Sequence, residues 1–312
     1  MRRRTGLAAL LAPSLAPAQG SAIRLVVPVA PGGSQDTLAR LLARYMVGPH
    51  GQSIIVENRS GAAGNIGFEI AARARPDGLT LGAGSDNLSI NKALFPLLSF
   101  DPVEDLAPIA PATRVPQCLA VRADSPARDL SGFLEMARRE PVAVGTGGNG
   151  SLAHMLQQLV REQAGVSWTH VPYRGGAPAV NDLVAGQIHA VMGNVGAVAE
   201  QIHAGLLRGI AVSSSGGIAA LPGVASFAQL GMPAAVVLGW HGLVAPRGTP
   251  ASIIDRLHGA VLATIRLPIV VERLAALGIE PDETGAAGLL ARMRADAERW
   301  AGLVRRGAMR AE

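Results

Sequence analysis

From residue 23 onward the chain alternates short apolar runs, glycine- and serine-rich breaks, and stretches whose apolar residues recur every three or four positions. That alternation restricts the fold more than any other feature. Strands that feed helices that feed strands pack as α/β layers with largely parallel sheets. Residues 23–27 read as the first strand, and the helix after it places Leu38, Leu41, Leu42 and Tyr45 on one face, with Ser34 able to cap it. Between them, Gly32 and Gly33 carry no side chains, so a ligand can approach the backbone and meet the free N–H groups of the first helical turn. Such a terminus favours an anion by roughly 0.3 to 1 kcal/mol, more when partly buried. A tight turn with no ligand would have the same sequence, and both readings stand.

The pattern continues with a strand at 53–57, the loop Gly61-Ala62-Ala63-Gly64-Asn65, a helix over 66–74, a turn at 75–78 and a strand at 79–82 ending in Gly84-Ser85-Asp86-Asn87. Ligands of open parallel sheets bind beyond the carboxyl ends of strands, so these loops should share one edge. The Pro- and Asp-rich segment 95–125 holds a strand at 117–121 that reads as a crossing between domains. The pattern then restarts: helix 131–139, strand 142–144, loop 145–150, helix 151–164, strand 167–171, helix 177–185, strand 190–192, helix 195–204, strand 207–212 and a flexible loop at 213–217.

A second apolar crossing at 236–244 leads to Thr249 as an N-cap, Pro250 in the first helical position and a helix to residue 267, broken by Pro268. A final helix over 286–306 carries Leu289, Leu290, Met293, Ala297, Trp300 and Leu303 on one face and should dock on a core. Two crossings imply two lobes joined by a two-strand hinge: residues 22–120 with 238–312 in one, 121–237 in the other.

Length and composition agree: 312 residues at 49% hydrophobic content suffice for two ordinary cores. Residues 1–18 read as an export signal, with Arg2, Arg3 and Arg4, an apolar run over 7–15 and Ala16-Pro17-Ala18 as a small-x-small cleavage site. Removing them takes away three basic residues and no acid, leaving 25 basic against 23 acidic and a net charge of +2. With 3% aromatics and no basic patch interleaved with stacking rings, nucleic acid is not expected as a partner. Cys118 is the only cysteine, which rules out an internal disulfide and a cysteine-based metal cluster. A core position is its simplest role.

Several stretches together resemble one family. They are Pro31-Gly32-Gly33-Ser34-Gln35-Asp36 with Ala39-Arg40; the run 56–67 from Val-Glu-Asn-Arg-Ser-Gly to Asn65-Ile66-Gly67; Pro76-Asp77-Gly78-Leu79-Thr80-Leu81; His170-Val171-Pro172-Tyr173-Arg174-Gly175; Pro178-Ala179 and Asp182-Leu183 before Gly186-Gln187; Leu221-Pro222-Gly223-Val224; and Gly242-Leu243-Val244-Ala245-Pro246 before Gly248-Thr249-Pro250. In this order they look like the Bug family, the periplasmic substrate-binding receptors of tripartite tricarboxylate transporters. The resemblance implies a type II periplasmic binding-protein fold, with two α/β lobes closing on a small carboxylate in the cleft between them. It implies Gly32, Gly33, Ser34 and Ser85 from the first lobe and Gly148, Asn149, Gly150, Ser151, His154 and Asn194 from the second as ligand-binding residues. It also implies a monomer working in the periplasm with membrane transporter subunits, without a metal or cofactor. Val29 stands where an aromatic is frequent, Gly193 follows Met192 where Phe is frequent, His189 replaces a usual Asp, and Lys92 a frequent Pro.

Two rivals have sequence support. Gly145-Thr146-Gly147-Gly148-Asn149-Gly150 matches G-x-G-x-x-G between a strand and a helix, which points to a dinucleotide-binding or carboxylate-handling enzyme. The next strand ends in His170-Val171-Pro172, without the acid that would hold a ribose, and no G-x-S-x-G elbow or H-E-x-x-H pair occurs. The same closure would also serve a sensory protein that signals to a partner kinase. His154 lies one turn into its helix and either reaches the cleft or braces the helix start. His170 and His241 read as core or hinge residues; Asp36 either touches a ligand amine or hydroxyl or is an acid favoured by the helix dipole, the structural reading being ahead; and Arg40, Arg59 and Arg174 tie loops together or add positive potential, with surface or structural salt bridges as the default. Tyr173 either lines the pocket or packs the domain edge.

Overall fold

The computed structural model describes residues 22–46, 48 and 51–306; the export signal expected at 1–18 lies outside the described residues. Its first strand, β1 (Ile23–Val27), is rich in β-branched residues and buried along most of its length. Parallel partners flank it: β2 (Ile54–Asn58), from Ile23 opposite Ile54 to Val27 opposite Asn58, and β3 (Thr80–Ser85), with Arg24 opposite Thr80. The helices α1 (Ser34–Tyr45), α2 (Asn65–Ala72) and α3 (Asn87–Leu94) follow these three strands. The polar start of α3, Asp86-Asn87, reads as loop in the sequence, and the helix beyond it is a correction.

The strand β4 (Leu106–Arg122) is far longer than the crossing read at 117–121. Its Pro108, Pro111 and Pro116 conceal it, because proline has no N–H to give a ladder. The register with β9 (Leu238–Pro246) shifts between Pro108 and Ala110 and between Pro111 and Thr113, the irregularities that prolines in a strand require. Beyond Pro116, β4 leaves β9 and pairs antiparallel with β7 (Ala190–Asn194) and β8 (Leu207–Val212). The second half of the sheet is completed by β5 (Ala143–Thr146), parallel to both β7 and β6 (Thr169–Pro172). The pairings within β2-β1-β3 and within β7-β5-β6 are parallel, while those that β4 and β9 make are antiparallel, and β8, joined to β4, runs the same way as β7.

Each half is covered on both faces. In the first, α1, α8 (Ala251–Ile265) and α9 (Pro268–Ala276) enclose a core of Leu25, Leu42, Leu243, Val261 and Leu274, and α2, α3 and α10 (Ala286–Arg305) enclose another around Phe68 and Trp240. In the second, α4 (Leu130–Arg139) and α5 (Leu152–Ala164) pack one face, and α6 (Gly176–Val184) and α7 (Val195–His203) the other. The last helix serves both. Its Leu289, Met293 and Ala297 join the Trp240 core, whereas Trp300 and Leu303 join Phe133 and Trp168 in the second half. The docking face expected for this helix is buried, with Leu290 at its edge.

Three local expectations need correcting. Pro268 opens α9 rather than only ending α8, since its fixed φ and missing N–H suit a first turn. Thr249 does not cap α8; its hydroxyl donates to the Pro246 carbonyl at 2.8 Å, and Pro250 occupies the N-cap. Ser34 does not cap α1 either. Gly33 is the N-cap, and Ser34, as the first helical residue, points its hydroxyl elsewhere.

Candidate functional site

Sheet register decides where the strand ends meet. Ser85, the last residue of β3, lies opposite His241 of β9, and Asn194, the last of β7, lies opposite Gln117 of β4, one residue past Pro116. The carboxyl ends of both parallel sets therefore face the place where β4 and β9 cross. Open α/β sheets bind ligands at such an edge.

On one side of the crossing is the turn from β1 to α1. Thr37 N–H to the Gly33 carbonyl, at 2.9 Å, opens the α1 ladder, so the N–H groups of Ser34, Gln35 and Asp36 project from the helix start. The Gly32 N–H is occupied, donating to Asp36 Oδ2 at 2.9 Å. A Cβ on Gly32 or Gly33 would meet no atom within 4 Å. Burial would raise the Asp36 carboxyl, but Arg40, Asn58 and the Gly32 N–H outweigh it and hold it below its ordinary range. Asn58 also donates to the Val29 carbonyl at 3.0 Å. Asp36 thus braces the turn from inside, the structural role its helix-start position suggests.

On the other side is the turn from β5 to α5, held by its own side chains. Thr146 Oγ1 lies 3.2 Å from both the N–H and the carbonyl of Gly148 and 2.7 Å from His170 Nε2. Ser151 caps α5: its Oγ accepts from His154 N–H at 3.3 Å and donates to the Gly148 carbonyl at 2.8 Å. His154 Nδ1 accepts from the Gly150 N–H at 3.3 Å, and its ring stacks on His170 with centroids 3.7 Å apart. Burial, then the neighbouring His170 and Arg161, push His154 down to about 3, so it is neutral near pH 7. Gly148 and Gly150 have φ of +141° and +70°, which side chains resist. Asn149 is exposed at the tip of the turn.

A chain of polar side chains links the two sides. Gln117 Nε2 donates to Asn194 Oδ1 at 2.7 Å, Asn194 Nδ2 reaches Ser34 Oγ at 3.5 Å, and Ser34 Oγ lies 2.9 Å from His241 Nε2. Burial pushes His241 down to about 4, leaving a neutral imidazole whose Nδ1 has no partner. Ser85 Oγ, on the neighbouring strand, is also buried without a partner. Burial pushes the next residue, Asp86, up to about 6 against the pull of the Trp240 N–H and Arg292. Arg292 in turn donates to the Leu238 carbonyl at the start of β9.

The structure thus brings Ser34 and Asn194 into direct contact and sets Ser85 beside His241. Gly32 and Gly33 adjoin Ser34. The β5–α5 turn approaches by a different route: a Cβ on Gly239 would lie 3.2 Å from both Leu152 and Asp86, and one on Gly150 would lie 2.9 Å from Leu94 of α3. His154 faces into its own turn. Gln117 and His241 were not among the expected site residues. Their signal was present, since each is a polar residue inside one of the two apolar crossings.

The family model for tripartite tricarboxylate transporter family receptors matches residues 38–308. Protein BugT of Bordetella pertussis is 35% identical over 96% of this chain and 93% of its own. Two solved structures share the fold: MatC of Rhodopseudomonas palustris with bound malate, at TM-score 0.81 and 32% identity over 91% of this chain and 98% of that one, and an R. palustris protein with adipate, at TM-score 0.82 and 31% identity over 91% and 96%. The bilobed α/β arrangement is therefore of the type II periplasmic binding-protein kind.

Proposed function

The chain belongs to the tripartite tricarboxylate transporter receptor family, periplasmic receptors that bind small carboxylates for such transport systems, and from that premise we propose how it does so. The ligand sits where β4 and β9 cross, its carboxylate between the α1 start (Gly33, Ser34) and the lobe carrying Asn194 and the turn Gly148, Asn149, Gly150 and Ser151. The observation that carries this reading is the Ser34–Asn194 contact, in which the residue heading one helix touches the residue preceding another across the crossing. Both helix starts favour an anion there. Closure strips water from the carboxylate and strengthens each hydrogen bond in the lower dielectric. The closed form is selected because only it gives the ligand both sets of donors.

In this reading the described residues of 22–120 and 238–312 form one lobe and 121–237 the other, the α10 helix packing on both. The protein acts as an exported monomer that hands its ligand to membrane transporter subunits and performs no chemistry on it. The relatives bound to malate and adipate make dicarboxylates the first compounds to test. A thermal-shift series against malate, succinate, adipate and NAD tests the reading. Ligand at 100 times its Kd stabilises the folded state by about 2.7 kcal/mol. Stabilisation by carboxylates alone is expected, and stabilisation by NAD alone would sink it.

A further inference from the structure

We infer that Arg174 selects ligands with a second acidic group, its guanidinium meeting the far carboxylate of a dianion whose near carboxylate lies at Ser34 and Asn194. The inference rests on the receptor reading and narrows its ligand class. Arg174 occupies the turn between β6 and α6, and that turn is tied to the β5–α5 turn on either side of it. Tyr173 N–H donates to the Thr146 carbonyl at 3.0 Å, and Gly175 N–H donates to the Gly147 carbonyl at 3.1 Å. The Tyr173 hydroxyl donates to Asp182 at 2.7 Å and anchors the turn from below. The Arg174 backbone is thereby fixed at the carboxyl end of β5, on the edge that faces the crossing.

The charges along this edge single it out. The connections after β1, β5 and β7 carry no ionisable side chain. Arg59, after β2, is paired with Glu57, and Asp86, after β3, is buried against Trp240. Arg174 is exposed and makes no hydrogen bond or ion pair with any described residue. Among the described residues of these strand-to-helix connections it is the one cation without a partner, beside glycine amides, hydroxyls and carboxamides. Those neutral donors suit one carboxylate and give little preference between a monoanion and a dianion of the same length. A free cation at the mouth supplies that preference through charge, and its effect weakens as salt screens it.

Calorimetric titration of wild type and Arg174→Gln with two matched pairs, succinate against butyrate and adipate against hexanoate, tests this. In the wild type the dianion of at least one pair should bind more tightly than its monoanion. In Arg174→Gln that preference should fall by about tenfold through loss of dianion affinity, with monoanion affinity within about twofold. Arg174→Lys should recover part of it, and raising salt should shrink the preference in the wild type but not in Arg174→Gln. Equal losses for both members of a pair, or an unchanged preference, would overturn the assignment while leaving the receptor reading intact. Failure of the wild type to bind any of the four acids would overturn both.

Discussion

The turns from β1 to α1 and from β5 to α5 are both glycine-rich, both join a strand to a helix, and both end near the crossing strands, yet they are held in opposite ways. Outward from the first, Gly32 and Gly33 face open space, and its support comes from beneath, through Asp36, Asn58 and Arg40. The second is fixed through its own residues: Thr146, Ser151 and His154 each bond to Gly148 or Gly150, and His170 backs both Thr146 and His154. One turn is open outward, and the other uses its polar side chains to keep one shape. Glycine content alone does not separate the two cases.

The largest expected effect comes from filling the open turn. Gly33 has φ of −77° and ψ of 167°, ordinary extended values, so Gly33→Trp introduces no backbone strain and meets no neighbour at Cβ. Carboxylate affinity should fall by more than about 100-fold, roughly 2.7 kcal/mol. Melting temperature should stay within about 2 °C, as for other substitutions without a structural mechanism. Unchanged affinity would remove this turn from the site.

The matching change in the braced turn should act on stability instead. In Gly150→Ala the new Cβ stands 2.9 Å from Leu94 at a φ of +70°, so strain and overlap combine. A cost of about 2 kcal/mol is expected from equilibrium unfolding in urea. If Gly33→Trp proved the less stable variant, the contrast between the turns would be reversed.

The sequence carries the strand and helix order well, because period and glycine breaks are local. Residues 23–27, 131–139 and 207–212 lie within one residue of the observed elements. It conceals β4, whose prolines mimic a linker, and α3, whose Asp86-Asn87 start mimics a loop. Of the candidate site, the two turns are visible and the side-chain chain is not. Gln117, Asn194, Ser34 and His241 meet only through sheet register, and no local pattern encodes which residue of β9 lies opposite Ser85. The stacking of His154 on His170 is hidden for the same reason, since a helix and the strand beyond it must first pack together.

Acidification tests how far the braced turn depends on that stack. His154 is held neutral in the fold, its value pushed down to about 3 from an ordinary 6.5, chiefly by burial. A base depressed on folding binds its proton more readily in the unfolded chain, so its contribution is complete above about pH 6.5 and is lost as pH falls toward 3. One such group gives at most about 1.4 kcal/mol per pH unit in that window. His154→Phe keeps a ring on His170 but cannot titrate. Its stability between pH 7 and pH 5 should fall less steeply than the wild type, read from unfolding curves at each pH. Asp86, raised to about 6 by burial, acts with the opposite sign, its contribution being lost as pH rises through that value. Asp86→Asn should therefore steepen the acid limb. Parallel limbs in His154→Phe and wild type would show that the stack is not what braces the turn.

The smallest effect should come from the contact that joins the two sides. At 3.5 Å, Asn194 to Ser34 is a long bond between neutral groups, and such bonds contribute about 1 kcal/mol or less. Asn194→Ala removes a donor from the ligand but also a tie between the two sides of the crossing that competes with it, and these losses oppose each other in the measured affinity. Ser34→Ala removes the same tie and frees His241 Nε2 as well, leaving both ring nitrogens of a buried imidazole without partners. Ser34→Ala should accordingly weaken carboxylate binding by about tenfold and Asn194→Ala by about threefold. In the double variant the losses should more than multiply, because the offsetting gain from removing the shared bond counts in each single variant but only once in the double. Fully multiplicative losses would mean that Ser34 and Asn194 act on the ligand independently, and that their mutual contact has no part in binding.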